Sequence, residues 1–294
     1  MDKVAVVCHD AGGAEIVSSW VKKNKNNYLF FLDGPAKKIF KQKLNVETEN
    51  DLSETINNCD WLLCGTSWQD DLEKHALKIS SQKNIRSVSY LDHWINYKER
   101  FIFDEQIILP HELWVGDHEA QKIALRTFKK YKNKIKFVEN EYLKDIKKNI
   151  INLESSENKN VLYVCEPIAE HAKKQCNNEL EWGYDEFMAL KFFMKNIDFI
   201  DNTLSEITIR PHPSEEIGKY DWVKKLSSLP ITINNETDIL DDISNCAYVV
   251  GCESMAMVIG LIAKKTVYSS IPPGGRDCVL PHKNIMKLNA IVKG

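Results

Sequence analysis

Strand-like and helix-like patterns alternate along the whole chain, and this alternation limits the possible folds more than any other feature. Short apolar runs at 4–8, 28–32, 61–64, 87–91, 113–115 and 136–138 are separated by helical patterns at 14–23, 36–43, 70–80 and 117–131. A second series has runs at 161–165, 207–209, 231–233, 247–250 and 267–269, with helical patterns at 186–194, 222–226 and 239–244. A helix between two strands carries the chain back across the sheet, so the strands pair parallel. The fold class expected is therefore α/β, with parallel sheets covered by helices. The stretch Asn152–Lys159 is polar, poor in apolar residues and lies between the two series, as a linker would. We expect two Rossmann-like domains, 1–152 and 160–294, facing each other across a cleft, where small ligands commonly bind.

Bulk properties remove several function classes. A formal charge of −3 argues against a general nucleic-acid binder. No apolar run reaches the roughly 18 residues of a membrane span. The chain opens on Met1-Asp2-Lys3-Val4, with no charged leader and long apolar segment, so no signal peptide is expected and the location expected is cytoplasmic. The eight cysteines include no Cys-x-x-Cys pair, which predicts reduced, buried thiols rather than zinc ligands. Arg126–Lys148 carries nine Lys or Arg against three acids, a basic patch suited to a peripheral membrane contact or an acidic acceptor, or simply to a solvated face.

The chemistry-bearing residues cluster where strands end. Ile207-Thr208-Ile209-Arg210 runs into Pro211-His212-Pro213, and the prolines stop the strand. Arg210 and His212 are then held at a strand end, where open α/β sheets keep their ligands. Downstream, Tyr248–Gly251 leads through Cys252-Glu253-Ser254 into the helical Met255–Ile262. Such a helix start offers bare N–H groups and the positive dipole end to a phosphate. Glu166, after the run 161–165, is a candidate for ribose hydroxyls or a base edge. Ser269 and Ser270 follow the last run and offer hydroxyls to the same anion. The polar stretch from Ile168 to Trp182 shows no clear period and reads as a loop over the ligand.

In the first half, His9-Asp10-Ala11-Gly12-Gly13 follows the first run. The glycines permit a sharp turn and close approach, but the spacing is not Gly-x-Gly-x-x-Gly, so no nicotinamide cofactor is indicated. Asp10, or less favourably His9, can accept a proton from a hydroxyl; the alternative is that Asp10 caps the following helix. Thr66 and Ser67 follow the run 61–64, as ligand contacts or helix caps. In Tyr90–Phe101, Asp92 and His93 are further candidates, and Trp94 and Tyr97 suit either a sugar ring or the core. Arg100 has Glu99 or Asp104 as possible partners. With no Asp-x-Asp pair and no Cys/His ligand set, no metal is expected.

His212-Pro213 and Ser254, with the stretch 249–272, resemble the nucleotide-binding end of bacterial GT-B glycosyltransferases. The nearest likeness is to enzymes that use CMP-activated sialic or related acidic sugars. In that group a His-Pro motif and a later helix-start serine contact the nucleotide phosphate. The resemblance covers residues 205–275 and implies a metal-independent, inverting transferase in bacterial surface glycan synthesis. Its partners would be a nucleotide-sugar donor and a glycan or lipid-linked acceptor. These sialyltransferases place their base in an Asp/Glu-Asp/Glu-Gly motif; Asp10-Ala11-Gly12 departs from it at the middle position. Epimerases and hydrolases of nucleotide sugars share the fold and form the second reading. A non-catalytic sugar-nucleotide-binding partner of a glycan assembly complex is the third.

Overall fold

The structure is a computed structural model that describes residues 1–151, 159–234 and 236–292. It divides into two compact units, Met1–Asp145 and Ile146–Gly294. Residues 152–158 of the expected linker lie outside the described residues.

The first unit runs β1 (Lys3–Cys8), α1 (Ala11–Lys23), β2 (Asn27–Leu32), α2 (Gly34–Leu44), α3 (Leu52–Asn57), β3 (Trp61–Cys64), α4 (Leu72–Gln82) and β4 (Arg86–Leu91). A small hairpin follows, β5 (Ile102–Phe103) with β6 (Gln106–Ile107), then β7 (Glu112–Val115), α5 (His118–Thr127), β8 (Ile135–Phe137) and α6 (Glu141–Ile151), which runs across the boundary between the units. Six strands form one sheet in the order β2-β1-β3-β4-β7-β8, every pairing parallel. Val4 to Cys8 are all fully buried, because a parallel sheet is covered on both faces and its central strands read as unbroken apolar runs. Trp20 packs on Trp61 and Trp114 of the main core cluster.

The second unit runs β9 (Asn160–Val164), α7 (Ile168–Cys176), α8 (Glu186–Lys195), β10 (Glu206–Arg210), β11 (Ile231–Ile233), α9 (Ile239–Ser244), β12 (Tyr248–Gly251), α10 (Met255–Ile262), β13 (Thr266–Ser269), β14 (Ile285–Lys287) and α11 (Leu288–Ile291). Its sheet order is β11-β10-β9-β12-β13-β14, again parallel throughout. Counted in chain order this is 3-2-1-4-5-6, the Rossmann arrangement. The first sheet is 2-1-3-4-5-6. In each, the strand order reverses beside the first strand: between β1 and β3, and between β9 and β12. Crevices at such reversals, outside the carboxyl ends of the strands, are where open α/β sheets bind ligands.

Helix starts follow local capping chemistry. Asp51, Asp117 and Asp185 each accept an amide N–H three residues on, at 2.7, 2.7 and 2.6 Å. No helix among the described residues is long and apolar enough to cross a membrane. Two readings of the sequence need correction. Residues 168–176 are the helix α7, not a structureless cover; Glu170 and Lys174 pair across one turn at 2.9 Å, and Ile168 and Ala172 are buried. The last strand is β14, which pairs with β13 and was hidden by its polar flanks.

Candidate functional site

At the reversal of the first sheet, β1 delivers His9 and Asp10, and β3 delivers Gly65, Thr66 and Ser67. Asp10 occupies the N-cap position of α1 but its carboxylate caps no amide. It turns instead to His9, with Oδ1 2.8 Å from the imidazole Nδ1. The other ring nitrogen, Nε2, lies 3.6 Å from Asp70 Oδ2, just before α4. Burial lowers the affinity of His9 for a proton, but the bond to Asp10 and the charge of Asp70 outweigh it and raise the pKa. The ring also stands against Gly34, whose φ is +50° and where a Cβ would come within 2.6 Å of Nε2. Glycine is needed there for both reasons.

Glu73, which sequence reasoning missed, lies behind this pair on the first turn of α4 and is buried. It accepts the His9 amide N–H at 2.8 Å. Its carboxyl is pushed up to about 7, first by burial and then by the negative Asp10, against the pull of the His9 N–H.

Thr66, Asp92 and Arg100 form a second buried group. Arg100 Nη1 donates to Asp92 Oδ1 at 2.6 Å, to Thr66 Oγ1 at 2.9 Å and to the Thr66 carbonyl at 3.1 Å. This corrects Glu99 and Asp104 as its partners. Asp92 Oδ2 lies so close to Gly12 that a Cβ there would collide with it. A Cβ on Gly13 would sit 3.2 Å from Gly65 Cα. The paired glycines therefore let three segments meet at the reversal. Ser67 stabilises its own turn by accepting from the amides of Gln69 and Asp70. Trp94 and Tyr97 are core residues, 5% and 3% exposed, and Trp94 Nε1 donates to Asp117. His93 stands in the loop after β4 with its ring 5.3 Å from that of Trp94.

At the reversal of the second sheet, Glu166 follows β9 and reaches the β12–α10 turn. Its Oε1 accepts from the amides of Glu253 at 2.7 Å and Cys252 at 3.2 Å. Ser254 caps α10, its Oγ accepting from Ala256 N–H at 3.2 Å. The turn thus holds a carboxyl oxygen, and that oxygen belongs to the protein. Burial, then the neighbouring Glu253, push the Glu166 carboxyl up to about 8, while the amides pull it down. Glu253 in turn pairs with Arg276 at 2.6 Å, and Arg276 lies over the Trp182 ring.

Glu166 makes a pH prediction. Unfolded, a glutamate releases its proton near pH 4.3; folded, this one keeps it to about 8. Its contribution is fully present below the unfolded value and is lost as pH rises through the folded one. Thermal unfolding should therefore show a lower Tm at pH 8 than at pH 5, and Glu166→Gln should reduce that drop. An equal drop in both proteins would contradict the assignment.

His212 follows β10. Its amide donates to Glu215 Oε2 at 2.8 Å, and Ser214 N–H donates to Nδ1 at 3.2 Å. Nδ1 is therefore an acceptor, and the neutral ring carries its proton on Nε2. Burial lowers the His212 pKa. His171 on α7 is a neighbour, pushed down to about 4 by burial and then by the positive charge of His212. Lys219 joins Glu186 at 2.5 Å and Glu215 at 2.9 Å.

Three residues expected on the anion have other work. Arg210 pairs with Asp242 of α9 and donates to the Thr237 carbonyl at 2.9 Å, so its charge is already neutralised. Ser269 is buried and donates to the Cys252 carbonyl at 3.3 Å. Ser270 is fully buried, with its hydroxyl 3.1 Å from Tyr163 Oη and 3.2 Å from the Gly251 carbonyl. These serines join the ends of β12 and β13. Among the described residues no group of three His, Cys, Asp or Glu side chains is placed to hold a metal ion.

No protein-family model matches the chain, and no curated protein matches it. Solved structures do. UDP-GlcNAc 2-epimerase from Methanocaldococcus jannaschii, in complex with UDP-GlcNAc and UDP, superposes with TM-score 0.61 at 13% identity, over 99% of this chain and 92% of that one. S. aureus MnaA in a co-structure with UDP gives 0.64 at 12% identity, over 92% and 79%. UDP-GlcNAc 2-epimerase from Neisseria meningitidis bound to UDP-GlcNAc gives 0.59 at 10% identity, over 93% and 83%. Similarity at this level of identity establishes the fold: two Rossmann-like domains of the GT-B type.

Proposed function

We propose that this chain is an enzyme acting on a nucleotide-activated sugar, with the nucleotide held by the second unit. The observation that carries the reading is the β12–α10 turn at the sheet reversal, whose amides already converge on one acceptor, a carboxyl oxygen of Glu166. The adjacent Ser254 hydroxyl and the α10 dipole suit a phosphate, and His212 Nε2–H supplies a neutral donor. Charge developing on a leaving phosphate is stabilised there without a metal. In the first unit His9, held by Asp10, handles the proton. The reaction first proposed is inverting transfer of the sugar to a hydroxyl of a glycan or lipid-linked acceptor. The exposed lysines within Arg126–Lys148 would meet an anionic acceptor or membrane surface.

The second reading is epimerisation or hydrolysis of the nucleotide sugar. It is favoured by the proton-carrying groups gathered around His9: Asp10, Asp70 and Glu73. Abstraction and return of a proton at a sugar carbon need such a set. Product analysis separates the two.

Binding is tested first. A thermal-shift screen with CMP, CDP, UDP, GDP and their sugars should raise Tm with one nucleotide series, since a ligand of the folded state stabilises it by mass action. The fold likeness puts uridine nucleotides first, and the sequence resemblance puts cytidine nucleotides beside them. His212→Ala should weaken the selected nucleotide by about 1–3 kcal/mol, the range for a hydrogen bond to a charged group. Unchanged affinity by calorimetry in the folded variant would remove His212 from the site.

A further inference from the structure

We propose that Glu73 is a positioning residue that sets the charge of His9 from behind the β1–α1 turn. The proposal rests on the reading above only for its effect on turnover; the coupling itself is a property of the first unit. Glu73 is 3% exposed. One oxygen, Oε1, accepts the His9 amide at 2.8 Å. The other, Oε2, is buried and has no hydrogen-bond partner among the described residues. Anchoring the turn needs only one acceptor, which a glutamine carbonyl supplies equally well. A buried, half-satisfied acid is an expensive way to do it, so its ability to titrate is what distinguishes it.

The groups facing Glu73 are few. From β1 and the turn after it come the Cys8 thiol, His9 and Asp10, and from β3 comes the Cys64 thiol; Asp70, before α4, faces the His9 ring, and Asp92, after β4, acts on Cys8. Burial and the charge of Glu73 push both thiols well up, so they stay neutral. Asp10 disfavours a charged Glu73, whereas a charged His9 favours it. Glu73 in turn favours a charged His9. The two groups therefore titrate as a coupled pair. When His9 gives up its proton, Glu73 binds its own more tightly, and when His9 regains it, Glu73 relaxes. Glu73 never needs to touch the ligand to do this.

The experiment is an NMR titration of the His9 imidazole in the full-length chain, wild type against Glu73→Gln. Glutamine keeps the amide acceptor and removes the charge. The His9 midpoint should fall by on the order of half a pH unit, and the coupled titration should sharpen to a single step. An unchanged midpoint and shape in folded Glu73→Gln overturns the proposal. If that variant does not fold, His9→Gln with labelled glutamate carboxyls decides. Loss of the imidazolium should raise the Glu73 midpoint above about 7, and a midpoint that stays put overturns the coupling. Turnover is the separate arm. A limb of the pH–rate profile that moves with the His9 midpoint supports both the coupling and the acid–base role of His9. A shifted His9 midpoint with an unmoved limb upholds the coupling and removes His9 from the chemistry.

Discussion

Arg100→Ala is expected to destabilise the first unit by about 3–5 kcal/mol, the range for breaking a buried ion pair from one side. Arg100 and Asp92 have side chains 4% and 9% exposed, joined at 2.6 Å. Removing the guanidinium strands a carboxylate in the interior and also deprives the Thr66 and Ile95 carbonyls of a donor. The loss comes mainly from the orphaned charge rather than from the pair's own worth. Arg100→Met with Asp92→Asn should therefore recover much of it, since neither residue of the double variant is ionic. Chemical denaturation of the three proteins, followed by the midpoint with an unchanged slope, measures the difference. A loss under about 1 kcal/mol for Arg100→Ala would mean that Asp92 is solvated or protonated without cost. The site would feel the change too. Asp92 is pressed against Gly12 at the start of α1, so releasing it loosens the turn that carries His9 and Asp10.

The architecture was legible because parallel strands covered on both faces leave a signal that needs no partner to read. Val4–Cys8, Trp61–Cys64 and Val161–Val164 are unbroken buried runs, and the helical periods between them force the crossovers. Elements with mixed faces were harder. The helix α6 is rich in lysine, yet Asn140 before it accepts the Leu143 amide at 3.0 Å, a cap that could have marked its start. The helix α7 hides behind a proline and a run of polar residues, with the Glu170–Lys174 spacing as its clue. Within the candidate sites, residue types at strand ends were readable but their partners were not. Arg210 looks like a free cation at the end of a strand, and only the fold shows Asp242, 32 residues on, opposite it. Glu73 sits in what reads as an ordinary first helical turn. Its importance comes from burial against the amide of a residue 64 positions earlier, a distance over which periodicity carries no information.

His9→Ala is expected to cut turnover by about 10²–10⁴-fold, the usual loss on removing a general acid or base, while leaving nucleotide affinity intact. The sequence favours Asp10 as the base, but the geometry redistributes the work. Asp10 Oδ1 is engaged by His9 Nδ1 at 2.8 Å, so the carboxylate orients the ring and favours its charged form. Under the proposed function, the imidazole is the group whose proton would move. Asp10→Asn separates these roles. The amide oxygen can still face Nδ1, which preserves orientation, but the negative charge is gone and the His9 pKa should fall. The limb of the pH–rate profile that His9 controls should then shift to lower pH, whether the imidazole acts as base on the acid side or as acid on the alkaline side. The nucleotide sugar selected by the binding screen is the substrate for both assays. Nearly full turnover in His9→Ala combined with loss in Asp10→Asn would return the proton to the carboxylate. Full turnover in both would place the chemistry away from the first sheet's reversal, leaving the buried acid and the paired glycines there with a structural role alone.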